Sequence, residues 1–197
     1  MMVEMQHDRN VRHEFATARL ALRLVDADDV EDLLAYERRN RSRLAPWEPW
    51  RDPALLEDIS RRRLDLARLR AEADADRTYS FIARDADGTV VARVTLSNVV
   101  RGAFQACHLG YSVDGPHEGK GVAFEAVGAV VRFAFEELRL HRVMANYQPT
   151  NHRSGNLLIR LGFEIEGSAR NYLYIDREWR DHILTAIINP DESNAPP

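Results

Sequence analysis

A single cysteine in 197 residues, Cys107, has no partner for an intrachain disulfide. The small, disulfide-stapled secreted folds are thereby excluded, and a reducing compartment is suggested. No apolar run approaches the roughly 20 residues that a membrane helix needs. The start, Met1 to Glu14, is polar and lacks the apolar core of a signal peptide. Excess positive charge is also missing: 27 Lys and Arg face 31 Asp and Glu, a formal net charge of −4, which argues against a general nucleic-acid coat. The seven histidines, among them His108, His117, His141, His152 and His182, show no His-x-x-x-His spacing around a carboxylate, so no metal is expected. These absences leave a cytoplasmic protein as the expectation.

What is present is enough for one domain with a full core: 45% hydrophobic and 29% charged residues. Residues 1–18 show no periodicity and read as an N-terminal extension. Arg19 to Val25 alternates like a strand. Asp28 to Arg39 reads as a helix capped by Asp26 or Asp28, broken by the two prolines of Ala45-Pro46-Trp47-Glu48-Pro49-Trp50. Pro53 to Ala73 reads as a second helix, rich in Leu and Arg. Thr78 to Arg84 and Thr89 to Ser97 flank Asp85-Ala86-Asp87-Gly88, a hairpin signal, and Phe104 to Val113 extends the antiparallel run. A helix from Gly121, a strand from His141 to Tyr147 and a helix from Asn151 to Leu161, stopped by Gly162, follow. Phe163 to Ala169, Asn171 to Ile175 and Arg180 to Ile188 read as closing strands. The domain is therefore set at 19–189, with 190–197 a proline-containing tail expected to fray.

The joint between the strand ending at Val113 and the next helix reads Glu118-Gly119-Lys120-Gly121-Val122-Ala123. Glycines there let several backbone N–H groups point one way at a helix N-terminus, where the dipole favours an anion. A P-loop would need Gly-Lys followed by Ser or Thr, whereas Gly121 follows Lys120. A dinucleotide fingerprint would need glycine where Phe124 stands. Both rivals fall, although an ordinary strand-to-helix turn fits as well.

This turn resembles the pyrophosphate motif of the Gcn5-related N-acetyltransferases (GNAT), with Glu118 in place of the usual Gln or Arg. Trp47-Glu48-Pro49, Ser97 to Gly102, His141 to Tyr147, Arg153-Ser154-Gly155, Arg160 to Phe163 and Trp179-Arg180-Asp181-His182 are similar to the RimJ branch. The resemblance covers roughly residues 18–190. It implies an α/β (mixed α+β) fold: a twisted, mostly antiparallel sheet flanked by helices and splayed between its fourth and fifth strands, with acetyl-CoA in the split. The implied reaction is direct acetyl transfer to a protein N-terminal α-amine, that of an alanine of a small-subunit ribosomal protein. Partners would then be acetyl-CoA and a ribosomal protein, with the small subunit itself as a further candidate, and neither a membrane nor a specific nucleic-acid sequence. A small-amine or antibiotic acetyltransferase, and an assembly factor that binds without turnover, remain alternatives.

The resemblance also implies roles. Glu118, Gly119, Lys120, Gly121, Val122 and Ala123 would hold the pyrophosphate through their backbone, with the Glu118 carboxylate turned away. Gly110, Tyr111, Ser112 and Val113 would hold the pantetheine arm, the Val113 amide or a neighbour facing the oxyanion. Asn151 would contact coenzyme A or serve as a helix cap. Ser154 would contact the cofactor and protonate the departing thiolate. The base does not carry over. The glutamate of the RimI branch matches Asn146, and that of the RimL branch falls in Arg170-Asn171-Tyr172-Leu173. Deprotonating an α-amine at pH 7 costs only about 1 kcal/mol, against roughly 4.6 kcal/mol for lysine, so water relayed through Tyr111 or Tyr172 is the expected route. Cys107 and His108 should face opposite sides of one strand and form no nucleophile pair. Trp47 and Trp50 either wall an acceptor groove or cover the core. Arg61, Arg62, Arg63, Arg68 and Arg70 form either an RNA-facing patch or a solvated helix face.

Overall fold

A computed structural model describes residues 13–191. Its elements run β1 (Glu14–Ala16), β2 (Ala21–Leu24), α1 (Val30–Leu44), α2 (Pro53–Leu56), α3 (Ile59–Asp74), β3 (Tyr79–Arg84), β4 (Val90–Val100), β5 (Ala106–Val113), α4 (Val122–Glu136), β6 (Arg142–Tyr147), α5 (His152–Arg160), β7 (Glu164–Ile175) and β8 (Glu178–Ile188). Eight strands form one sheet in the order β1-β2-β3-β4-β5-β6-β8-β7. Every neighbouring pair is antiparallel except β5 and β6, which are parallel. Those two strands pair only from Ala106↔Arg142 to Leu109↔Ala145. Beyond that point Gly110–Val113 and Asn146–Tyr147 are unpaired with each other, so the split expected between the fourth and fifth strands falls between β5 and β6, Glu14–Ala16 having added a first strand.

The sheet is covered on both faces. Alternation along β3 sends Phe81 and Ala83 to one side and Ile82 to the other. The first side receives α4, whose Ala126, Val127, Val130, Phe133 and Ala134 recur at helical spacing and are buried. The second receives α1 and α3 through Val30, Leu33, Leu34, Tyr36 and Leu66. Cys107 is buried, and burial pushes its thiol up to about 12, so it is a packed apolar residue. His108 lies half-buried on the opposite face, as the strand alternation requires.

Three readings need correction. Glu14–Ala16, placed in the extension, is a strand paired with β2; three residues are too few to show a period. Its Phe15 stacks on Phe133 at 5.8 Å and meets Phe81 at 5.4 Å, contacts worth about 1 kcal/mol each beyond area burial. Residues 53–73 are two helices, because the Asp58 side chain accepts from Arg61 N and starts α3 afresh. Asn171 does not open a new strand. β7 runs through it with a register shift between Ala169 and Leu173, where Asn171 takes a φ of +50°. Asp26 caps the turn of 3-10 helix that precedes α1. The expectation of a fraying tail falls mostly on 192–197, outside the described residues. In the arginine cluster, Arg62 is buried against Glu37, which also pairs with Arg93, and Arg70 pairs with Asp74, so this group is no continuous basic face.

Candidate active site

The split between β5 and β6 opens into a cleft of about 780 Å³, within the range of small-ligand sites. It is lined by Gly110, Tyr111, Ser112, Val113, Glu118, Gly119, Gly121, Val122, Ala123, Asn151 and Ser154. Two expected residues stand outside this lining. Lys120 offers its carbonyl to Arg19 Nη1 at 2.9 Å, and Tyr172 stands behind two lining residues, Asn146, whose Nδ2 donates to its hydroxyl at 3.3 Å, and His182, 5.6 Å away between ring centroids.

The glycine turn leaves the backbone N–H groups at the start of α4 uncovered. Gly119 and Gly121 have φ of +71° and +82°, conformations that L side chains rarely adopt. Gly121 is the N-cap of α4 and places no side chain over the first helical N–H groups, which have no acceptor within the helix. Arg19 braces the turn from behind: it also donates to the Glu125 carboxylate, which in turn accepts from Thr17 Oγ1 at 2.6 Å. Burial alone would raise Glu125; these donors outweigh it and hold the carboxyl below its usual range. The Glu118 carboxylate accepts from Arg43 of α1 and Arg153 of α5. It is turned to neutralising partners.

Strand geometry fixes the direction of the amides on β5. Asp114 N donates to Val91 O on the β4 side at 2.8 Å. Backbone direction alternates, so the N–H groups of Val113 and Tyr111 face away from β4, toward the split. The Val113 carbonyl, on that same side, accepts from Arg43. A Cβ on Gly110 would meet nothing within 4 Å, so the sheet face beside the two outward N–H groups is open as well. These features fit a linear amide chain ending in a pyrophosphate: an extended edge, then a cradle of N–H groups.

Across the split, Tyr111 Oη and Ser154 Oγ lie 2.7 Å apart. Burial, only partly offset by Ser154, pushes the Tyr111 hydroxyl up to about 12, so it stays protonated at neutral pH. Asn151 caps α5, its Oδ1 accepting from Ser154 N at 3.1 Å, which fixes the Ser154 backbone. Gly155 permits the close seat of Tyr147, since a Cβ there would lie 2.7 Å from that ring. On the other face of β5, Tyr36 Oη donates to Ser112 Oγ at 3.0 Å.

Two tryptophans edge the region. Trp47 lines the cleft, and Trp50 lines a smaller adjoining cavity of about 180 Å³; Leu44 borders both. Both indoles are exposed, and the Arg177 guanidinium lies 4.2 Å from the Trp50 ring centroid. They are walls of the opening and not a cover for the core. His182, which the sequence gives as the end of the Trp179-Arg180-Asp181-His182 block and a histidine without metal spacing but with no role in the site, also lines the cleft and is buried. Its position depends on the register of β8 against β6, which no local motif encodes. Among the described residues no group of His, Cys, Asp and Glu is placed to hold a metal, and no helix is long and apolar enough to cross a membrane.

Comparison with known proteins agrees with this architecture. Residues 19–164 match the acetyltransferase (GNAT) domain family. The chain is 44% identical over 176 residues to the [ribosomal protein uS5]-alanine N-acetyltransferase of Escherichia coli (strain K12), covering 89% of this chain and 90% of that protein. The crystal structure of the ribosomal-protein-S5-alanine acetyltransferase from Vibrio fischeri superposes with a TM-score of 0.85 at 37% identity, over 90% of this chain and 97% of that one. Mycobacterium smegmatis RimJ in complex with CoA-disulfide superposes with a TM-score of 0.83 at 31% identity, over 89% of this chain and 85% of that one. With its split sheet, its glycine cradle and these matches along nearly its whole length, the chain belongs to the GNAT acetyltransferase family.

Proposed function

We propose that this protein transfers the acetyl group of acetyl-CoA to the α-amine of the N-terminal alanine of ribosomal protein uS5, by direct attack with both substrates in the cleft. The observation that carries this reading is the 44% identity, over 89% of the chain, to the Escherichia coli enzyme named for that reaction. Acetyl-CoA supplies a thioester already reactive toward a neutral amine, so no enzyme nucleophile is needed.

The chain's own groups divide the remaining work. The N–H groups of 119–123 hold the pyrophosphate at the start of α4. The outward amides of Tyr111 and Val113 hold the pantetheine arm, and the Val113 N–H faces the carbonyl oxygen as that atom gains charge. The Tyr111–Ser154 hydroxyl pair donates a hydrogen bond to the departing sulfur. With Tyr111 pushed up to about 12, this pair stabilises a thiolate better than it delivers a proton outright. The adjoining cavities beside Trp47 and Trp50 give a polypeptide N-terminus an extended path to the split.

The test is transfer of labelled acetyl from acetyl-CoA to a peptide copying the uS5 N-terminus. The expected product is acetylated at the α-amine only, with polyamines and aminoglycosides unmodified. Absence of transfer by the folded protein rejects the reading. Ser154→Ala and Tyr111→Phe should each lower kcat about 10-fold with CoA affinity unchanged. The double variant should lose little more than either, because the two hydroxyls act through one bond. Fully multiplicative losses in steady-state rates would show that they act separately.

A further inference from the structure

We propose that His182 is the general base of the cleft, its Nε2 taking the proton that the attacking α-amine must lose. This inference rests on the acetyl-transfer reading above and adds the group that the sequence left unassigned. In the register of β6 against β8, Asn146 lies opposite Leu184. His182, two residues before Leu184, therefore shares the face of the Asn146 side chain and stands one step further toward the open end of the split. Both residues line the cleft with Tyr111, Tyr147 and Ser154.

The tautomer follows from one contact. His182 Nδ1 lies 3.0 Å from the Arg180 carbonyl oxygen. A carbonyl only accepts, so Nδ1 carries the hydrogen and the neutral ring keeps its lone pair on Nε2. Among the described residues no donor meets Nε2. Nor is Nε2 among the unpartnered side-chain atoms sealed from outside, which are Glu37 Oε2, Arg43 Nε, His108 Nδ1 and Arg180 Nε. Nε2 is therefore not sealed from outside, and His182 lines the cleft. The ring is steadied by Tyr172, 5.6 Å away between centroids, and Tyr172 is tied to Asn146. The two places where the sequence lacks the glutamates of its relatives thus flank this imidazole.

Of the other titratable groups lining the cleft, His152 is exposed at the first position of α5, off the sheet that carries Asn146 and His182. Glu118 holds two arginines, His117 sits on Asp114, and Tyr111 is kept protonated. In the step, the amine nitrogen forms a bond to the acetyl carbon and Nε2 takes one N–H proton. The C–S bond then breaks and its electron pair leaves on sulfur. The imidazolium gives its proton to water, and the thiolate takes one from water, restoring His182 and yielding coenzyme A.

The test is His182→Ala in the full chain. The expected result is a fall in kcat of about 100-fold, the lower range for general-base catalysis, with calorimetric CoA affinity unchanged and partial recovery on adding free imidazole. Nitrogen NMR of the wild-type ring should show the hydrogen on Nδ1 and a bare Nε2 that shifts when the alanine peptide binds. Unchanged turnover, a loss that imidazole does not restore, a loss that follows CoA affinity, or a hydrogen on Nε2 of the neutral ring would each overturn the proposal. If the wild type fails to acetylate the peptide, the acceptor assignment has failed, and the NMR tautomer alone decides whether His182 is poised as a base.

Discussion

Gly121→Glu is expected to weaken CoA binding by at least 100-fold while the protein remains folded. Gly121 is the N-cap of α4 at φ +82°, and its missing side chain leaves the first-turn amides open. A glutamate there would place a carboxylate over the positive end of the helix, where the amides are to meet the pyrophosphate. Hydrogen bonds to a charged group contribute about 1.5–3 kcal/mol each. Losing two removes at least 3 kcal/mol, more than the 2.7 kcal/mol that corresponds to about 100-fold. The left-handed backbone adds about 1–2 kcal/mol of strain, and a Cβ would come 3.3 Å from Arg19 Nη2, so a modest fall in melting temperature is also expected. Gly88→Glu separates the two effects: it has a φ of +78° and nothing within 4 Å of its Cβ, in the β3–β4 turn. It should lose comparable stability and no CoA affinity. Calorimetry that finds unchanged CoA affinity in Gly121→Glu would remove the cradle from this account.

The glycine turn at the start of α4 is legible in the sequence because its geometry is local. Two glycines, a preceding strand and a following apolar helix period are all within a short stretch, and each has a backbone reason to be there. The same holds for the hairpin at Asp85–Gly88 and for Asn151 as a cap. The rest of the site depends on register and packing. Nothing near Ser154 in the chain announces that Tyr111, 43 positions earlier, lies against it. His182 acquires meaning only when β8 is laid beside β6 at a particular pairing; a one-residue slip would turn its ring to the other face. β1 escaped notice for a different reason. Its three residues are held by pairing with β2 and by Phe15 on Phe133, interactions made with distant parts of the chain.

Asp114→Asn is expected to lower stability by about 3 kcal/mol at pH 7, the lower end for breaking a buried charged pair, because Arg39 keeps some contact with water. Asp114 directly follows β5 and is only 3% exposed. One carboxylate oxygen accepts from Arg39 Nε at 2.9 Å and from Asn40 Nδ2 at 2.7 Å, and the other faces His117. Burial alone would raise this carboxyl, but Arg39, Asn40 and His117 outweigh it and hold it below the usual range. A group depressed in the folded state stabilises above its unfolded value, about 3.9 for aspartate, and that contribution is lost as pH falls through the folded value. The gap between wild type and Asp114→Asn in urea unfolding should therefore be full at pH 7 and shrink below about pH 4. A gap constant from pH 7 to pH 3 would show that shape and not charge sets it. The consequence reaches the cofactor as well. Asn40 Oδ1 accepts from Gly115 N at 2.9 Å and from Arg43 Nη2 at 2.8 Å, and Arg43 in turn holds Glu118. An amide at 114 would offer donors to donors at the root of this chain of contacts. CoA affinity should consequently fall about 3- to 10-fold, far less than in Gly121→Glu, because the cradle's support is loosened while its amides remain.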